Sequence, residues 1–187
     1  MTRFKFVMAA FIFALSVFFI THMLKFPGSI VYLMEVTHGE KMLDMQPSFS
    51  TEETYRRLEA FGEFGRRMYM RTMITVDIIF PLSAFAFLFL WAKYASQQVD
   101  IRDSLRKALW CLAIAYVSLD FLENISIMIM LSKFPERFEF LGTYIGYLTQ
   151  GKRISMIGAL VLPAVLLIVT KASSSFKRKS RSEFEIK

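Results

Sequence analysis

Four long apolar stretches constrain this chain more than any other feature of its sequence. They cover approximately residues 4–24, 73–92, 105–131 and 148–170. Each provides the run of about 20 mostly apolar residues that a helix needs to cross the ~30 Å hydrocarbon core of a bilayer. Lipid offers the backbone no hydrogen-bond partners, so such stretches are helical. We therefore predict an all-α integral membrane protein in which four transmembrane helices form an antiparallel bundle.

Composition supports a membrane protein. Hydrophobic residues make up 55% of the 187 residues, a share that a soluble domain of this size would have difficulty covering. The formal net charge is +7, but the basic residues flank the apolar stretches and fill the tail. That placement is typical of residues that set topology and contact anionic lipid headgroups. No nucleic-acid-binding motif accompanies the charge, so membrane lipids are the predicted partners, with a homo-oligomer left open.

The basic and aromatic residues also predict an orientation. Trp91 ends the second stretch and Trp110 begins the third, so both belong to one interface. The positive-inside rule places the 93–107 loop and both termini in the cytoplasm, although the opposite side carries several arginines as well. We predict a bacterial inner membrane, because the sequence ends without a retention signal. The membrane domain is predicted to cover 1–171, and 172–187 a disordered basic cytoplasmic tail.

The segment between the first two stretches contains its own helix signal. Ser50 and Glu53 stand at the spacing of a capping box, in which a serine begins a helix and a glutamate follows three residues later. Apolar and small residues then recur at helical spacing. We predict an amphipathic helix over about 51–71 that caps the bundle, with Gly62 and Gly65 allowing close packing on a neighbour.

Polar residues interrupt each apolar stretch near one end. In an antiparallel arrangement the ends of the first and third stretches share a side of the membrane with the starts of the second and fourth. We therefore predict that these residues meet in one polar layer, whichever way the protein is oriented. They are His22, Asp77, Asp120, Glu123, Asn124, Lys152 and Arg153.

Spacing predicts which of these side chains share a helix face. Asp120, Glu123 and Asn124 stand at i, i+3 and i+4, with Tyr116 one turn earlier. Pro81 follows Asp77 by four residues and lacks an N–H, so the Asp77 carbonyl loses its usual helical donor and the helix is predicted to kink.

Carboxylates in a membrane need partners. Each costs roughly 2.5–3.5 kcal/mol at mid-membrane depth on insertion scales. We predict an ion-pair network of Asp77, Asp120 and Glu123 with Lys152 and one or more nearby arginines. Those arginines are Arg66, Arg67 and Arg71. Arg66 and Tyr69 share a stripe with Asp77 if the helix is continuous.

Several site classes find no support in the sequence. Cys111 is the only cysteine, so the chain has no internal disulfide and no thiolate cluster. With two histidines, His22 and His38, a multi-histidine metal centre is excluded. No metal and no cofactor are predicted, and no nucleophile–histidine set or phosphate loop appears.

Three functions fit these residues. The first is a pocket that binds or chemically alters a lipid or other amphiphile, with Asp120 and Glu123 holding or transferring a proton and Asp77 orienting them. The second is a structural or assembly subunit whose charges only hold the bundle together. The third is ion- or proton-coupled transport, although polar residues are sparse in the other half of the stretches. Whether the protein is an enzyme stays open. Ligand contacts are predicted for Asn124, Tyr116, Arg66, Arg67, Tyr69, Lys152, Arg153 and His22.

Four short patterns together resemble a pattern of small four-span bacterial membrane proteins that are mostly uncharacterised. The patterns are Gly65-Arg66-Arg67-Met68-Tyr69, Asp77-x-x-Phe80-Pro81, Asp120-x-x-Glu123-Asn124 and Thr149-x-x-Lys152. The resemblance covers nearly the whole chain and implies no activity.

The placement of the 77–81 segment and of the Asp120/Glu123 pair also resembles the emopamil-binding-protein-like (EXPERA) family. That resemblance implies four core spans around a pocket with intramembrane carboxylates, in proteins that isomerise or bind sterols. The histidines of that family have no counterpart here, since His22 is the only histidine within a predicted span. The resemblance therefore concerns the architecture and not the sterol chemistry of that family.

Overall fold

The computed structural model describes the backbone of residues 2–184 and the side chains of residues 3–172. This part of the chain is helical and contains no strand. Its helices are α1 (Thr2–Met23), α2 (Ile30–Val36), α3 (Thr51–Ala60), α4 (Gly62–Met73), α5 (Val76–Gln97), α6 (Asp103–Lys133) and α7 (Glu139–Phe184). Four segments are long and apolar enough to cross a membrane: α1, α4 together with α5, α6, and α7 as far as Ala172.

The helices extend beyond the predicted apolar stretches. α5 continues to Gln97, so Trp91 lies inside the helix rather than at its end. α7 begins nine residues before position 148 and continues to Phe184, through most of the segment predicted to be a disordered tail. Hydropathy identifies only the apolar part of a helix. Helical hydrogen bonding continues into the polar residues on either side, so the helices are longer than the apolar stretches.

The predicted amphipathic helix over 51–71 is two helices. Ser50 begins α3, and its hydroxyl accepts a hydrogen bond from the Glu53 backbone N–H at 3.2 Å, as the capping box predicts. The chain then turns at Gly62, where φ is +64°, a conformation that glycine adopts without strain. A Cβ at Gly62 would contact nothing within 4 Å, so this glycine makes the turn and not a close contact. At Gly65, in contrast, a Cβ would lie 3.2 Å from Thr37, so the predicted close packing occurs there.

α1 packs along α5. Arg3 donates a hydrogen bond to Gln97 at 2.7 Å, and the rings of Phe11 and Phe87 lie 5.1 Å apart. Near the far end of α1, the ring of Phe18 lies 5.8 Å from that of Phe80. Residue numbers therefore rise along α1 as they fall along α5.

Two apolar cores lie at different levels of the molecule. The smaller core joins α5, α6 and α7 around Leu88, Ala113, Tyr116 and Ala159. The larger core joins the 30–73 segment to α6 and α7. Its fully buried members include Leu33, Met42, Leu43, Leu58, Ile127, Met130 and Ile145.

The polar residues lie between these two cores. On α6, Asp120 and Glu123 follow Tyr116 of the smaller core and precede Ile127 of the larger one. The same order holds on α7, where Lys152 lies between Ile145 and Ala159. The buried charges of α6 and α7 thus lie in one layer, with an apolar core on either side of it along each helix.

Candidate functional site

Lys152 is the centre of the polar layer. Its ammonium nitrogen lies 3.1 Å from Asp120 Oδ1 and forms a second ion pair with Glu123 Oε2. The Thr149 hydroxyl, one turn earlier on α7, donates a hydrogen bond to Glu123 Oε1. The Glu123 side chain is fully buried and that of Lys152 is 13% exposed. This part of the predicted network is present, because i, i+3 spacing on each helix turns the partners toward each other.

Asn124 joins α6 to α5 at the proline. Its Nδ2 donates a hydrogen bond to the Asp77 carbonyl oxygen at 3.0 Å, and another to Asp120 Oδ2 at 3.3 Å. The Asp77 carbonyl is the one that Pro81 deprives of its helical N–H donor. The Asn124 side chain of the neighbouring helix replaces that donor, so the freed carbonyl accepts a hydrogen bond that joins α5 to α6.

The Asp77 carboxyl group has no such partner. Asp77 is 6% exposed, and among the described residues no hydrogen-bond donor reaches its buried Oδ2 atom. The predicted ion pair of Asp77 is therefore absent from the described part of the chain. A buried carboxyl oxygen without a donor is costly, which marks Asp77 as the unsatisfied position of the site.

Asp44 is a member of the site that sequence reasoning missed. Its Oδ1 accepts a hydrogen bond from the Tyr69 hydroxyl at 3.0 Å, and its charge is close enough to act electrostatically on Asp77 and Lys152. It lies in a segment without regular structure, which gives no periodic signal. The sequence signal that could have placed Asp44 inside is the apolar pair Met42 and Leu43 just before it. Both side chains are buried and carry the adjacent aspartate inward.

Three side chains hold the 40–46 loop that carries Asp44. Arg57 of α3, only 1% exposed, donates to the carbonyl oxygens of residues 41, 42 and 46 and pairs with Glu40. Arg153 of α7 donates to the carbonyl oxygens of residues 44 and 45. Tyr69 accepts from the Leu43 backbone N–H at 3.1 Å. Arg153 therefore fixes the loop backbone beside the site, and Asp44 is positioned from three helices.

The arginines of α4 do not join the network. Arg66 donates to the Leu58 carbonyl oxygen and lies 4.0 Å from the centroid of the Phe134 ring. Arg67 pairs with Glu63 on an exposed surface. The expected stripe through Arg66, Tyr69 and Asp77 fails because the helix is interrupted at 74–75, between α4 and α5. Lys152 is thus the cation that pairs with these carboxylates in the described residues.

The remaining predicted residues border the site. Tyr116 is buried and lies one turn before Asp120 on α6. His22 contacts Thr21 through Nδ1 at 2.7 Å, stacks on Phe18 at 4.4 Å and meets the edge of Phe80 at 4.9 Å. These rings form an aromatic wall where α1 meets α5, one helical turn from Asp77.

The charges of the site do not balance. The site contains four carboxyl groups and two cationic side chains, Lys152 and Arg153. The Arg153 contacts described above are with backbone carbonyl oxygens, so Lys152 is the cation that pairs with carboxylates there. The carboxyl groups belong to Asp44, Asp77, Asp120 and Glu123. In the part of the chain that the structure describes, no group of three histidine, cysteine or acidic residues is arranged to hold a metal ion. Acidic groups therefore outnumber the cationic side chains in the described part of the site.

Comparison with known proteins gives no relative from which an activity can be transferred. No protein-family model matches the chain, and no curated protein or solved structure is found to be similar to it. The resemblances drawn from the sequence patterns therefore stay predictions.

Proposed function

We propose that the four long apolar helices cross a membrane as an antiparallel bundle and that the polar layer binds the charged head of an amphiphile. Support for the membrane comes from the apolar side chains left exposed on these helices, such as Phe13, Ile154 and Ile168. The opposed numbering along α1 and α5 supports the antiparallel order.

The binding proposal rests on one observation: the buried carboxyl group of Asp77 lacks a partner in the described part of the chain. Lys152 forms ion pairs with both Asp120 and Glu123, and Asn124 donates to the Asp77 carbonyl oxygen. In the described part of the chain, no hydrogen-bond donor and no cation reaches the buried Oδ2 atom of Asp77. A buried carboxylate is stabilised by a cation that reaches it. The predicted role of Asp77, to orient the other two carboxylates, is therefore replaced in this proposal by direct contact with the ligand.

The proposed ligand carries an amine or another organic cation on an aliphatic chain. The aromatic wall of Phe18, His22 and Phe80 adjoins Asp77, and aromatic faces attract organic cations. Phe18 also lines an apolar hollow of about 700 Å³ along the outer face of α1. The head would lie between Asp77 and Asp44, and the tail would follow this hollow into the lipid. Arg66 and Arg67, which the sequence suggested for headgroup recognition, have no part in this arrangement.

The test is binding of a long-chain alkylamine to the purified protein in a neutral detergent, with the alcohol of equal chain length as the neutral comparison. We expect the amine to bind more tightly. Asp77→Asn should weaken amine binding at least about tenfold, since loss of a buried charged partner typically costs 2–5 kcal/mol. The same variant should not lower the melting temperature, because it removes an unsatisfied buried carboxyl group.

Asp100→Asn is the matched control, since it removes the same charge from an exposed position in the loop between α5 and α6. It should leave amine binding unchanged. Equal binding of amine and alcohol, or an equal loss in both variants, would contradict the proposal.

A second candidate function is an assembly subunit whose charges only join the helices. It is favoured by the two ion pairs of Lys152. They join this residue of α7 to Asp120 and Glu123 of α6. Under this alternative Glu123→Gln destabilises the protein, and Asp77→Asn changes neither stability nor the binding of any amphiphile.

A further inference from the structure

A second cavity lies at the other end of the molecule, where α1 begins and α5 ends. Its volume is about 370 Å³, and its lining combines cationic, polar and apolar side chains. The lining residues are Arg3, Phe6, Val7, Leu90, Lys93, Tyr94 and Gln97. Gln97 holds Arg3 by accepting its guanidinium hydrogen bond at 2.7 Å, so one cation of the cavity is fixed in place by a neutral group.

The positive charge of this cavity is not neutralised within the described part of the chain. Arg3 and Lys93 form no ion pair there, in contrast to Arg106, which pairs with Asp103 of its own helix. Two unpaired cations beside a tyrosine hydroxyl and an amide form a set of donors suited to phosphate oxygens.

The apolar side of the cavity favours a lipid over a soluble phosphate as its ligand. Phe6, Val7 and Leu90 form part of its lining, and Val7 also lines a neighbouring groove of about 620 Å³ between α1, α5 and α7. That groove is formed by apolar and aromatic side chains, among them Phe11 and Trp91. An acyl chain fits such a surface, whereas a soluble phosphate would leave it empty.

We propose that the cavity at Arg3 and Lys93 binds the phosphate head of an anionic membrane lipid, with an acyl chain against the apolar surface beside it. This inference rests on the proposed membrane insertion but not on the amine-binding site, which lies at the opposite end of the helices. It also fits the predicted cytoplasmic position of this end, since the cytoplasmic leaflet carries the anionic lipids.

The experiment is native mass spectrometry of the full chain released from a neutral detergent, with phosphatidylglycerol and phosphatidylcholine offered in equal amounts. We expect retained phosphatidylglycerol to exceed phosphatidylcholine. Each basic residue near an anionic headgroup contributes about a fivefold gain in affinity, so the Arg3→Gln/Lys93→Gln double variant should lose about 25-fold. Leu90→Trp, which fills the apolar side and keeps both charges, should also reduce retention, with an unchanged melting temperature showing that it folds.

Lys5→Gln is the matched control, because it removes a charge from the same end of α1 at a residue outside the cavity lining. It should leave retention close to that of the unchanged protein, because Lys5 does not contact the proposed phosphate position. Arg3→Gln measured alone gives the comparison for a single charge, and a loss in Lys5→Gln as large as the loss in Arg3→Gln would show general surface attraction and overturn the proposal. Displacement of the lipid by excess inorganic phosphate, with no dependence on Leu90, would instead indicate a soluble-phosphate site and overturn it equally. Failure of the protein to insert into membranes would count against the fold proposal and would appear before lipid is added.

Discussion

Arg56 and Arg57 are neighbours in α3 with opposite environments. Arg56 is exposed, whereas Arg57 is 1% exposed and donates to three backbone carbonyl oxygens of the 40–46 loop. The Met42 carbonyl oxygen also accepts from the backbone N–H groups of Met45 and Gln46, whereas the guanidinium is the donor shown for the carbonyl oxygens of residues 41 and 46. Arg57 is thereby one of the three side chains that position Asp44.

The residue-scale prediction compares these two arginines. Arg57→Lys should destabilise the protein by about 1–3 kcal/mol, because lysine cannot donate to three carbonyls and Glu40 at once and leaves buried acceptors unsatisfied. Arg56→Lys should change stability by less than about 0.5 kcal/mol. The measurement is thermal unfolding in detergent followed by tryptophan fluorescence. Equal melting temperatures for the two variants would show that the loop does not depend on Arg57.

At the scale of elements, α7 meets the start of α3 through glycines that sequence reasoning did not single out. A Cβ at Gly146 would lie 2.2 Å from the Ser48 carbonyl oxygen, and one at Gly142 would lie 3.0 Å from the Thr51 Cα. Thr54 donates to the Gly142 carbonyl oxygen at 2.8 Å, in the space that these glycines leave. The start of α3 is thus held on α7 by direct backbone contact.

The element-scale prediction is a pair of glycine substitutions on α7. Gly146→Ala should destabilise the protein by about 1–3 kcal/mol, since the new methyl group forces the backbone at Ser48 to move. Gly158→Ala should be neutral or stabilising by up to about 1 kcal/mol, because the nearest atom to its Cβ is a flexible leucine methyl at 3.4 Å and alanine favours a helix. Retained stability in Gly146→Ala would mean that α3 and α7 are not in close contact.

At the scale of the whole molecule, the proposed crossing puts the two ends of the bundle on opposite sides of the membrane. Asp44, Asp77, Lys152 and the loop between α6 and α7 belong to one end, and Arg3, Lys93 and the loop between α5 and α6 to the other. The sequence predicts that the second end faces the cytoplasm. The two proposed binding sites would then serve different surfaces.

The whole-molecule prediction uses single cysteines in a Cys111→Ser background, which contains no other cysteine. In bacterial spheroplasts, a membrane-impermeant maleimide should label Glu136→Cys directly and Gln98→Cys only after lysis. Both positions are exposed loop residues, so accessibility does not differ between them. Direct labelling of both would refute the crossing of α6. A reversed pattern would leave the crossing intact and refute the predicted orientation.

Much of this architecture could be predicted from the sequence because its causes are local. Four apolar stretches of sufficient length are expected to be helical in lipid, where the backbone must satisfy its own hydrogen bonds. The i, i+3, i+4 spacing brings Asp120, Glu123 and Asn124 to one face of α6. The freed carbonyl at Asp77 follows from the same helical geometry. The pairing of Lys152 with two of these carboxylates was predicted from their placement in one polar layer and their opposite charge. Other contacts between distant segments were not accessible from the sequence. The inward position of Asp44, the separation of Arg66 and Arg67 from the site, and the close contact at Gly146 depend on hydrogen bonds and backbone approach across the folded chain, which leave no periodic signal in the sequence.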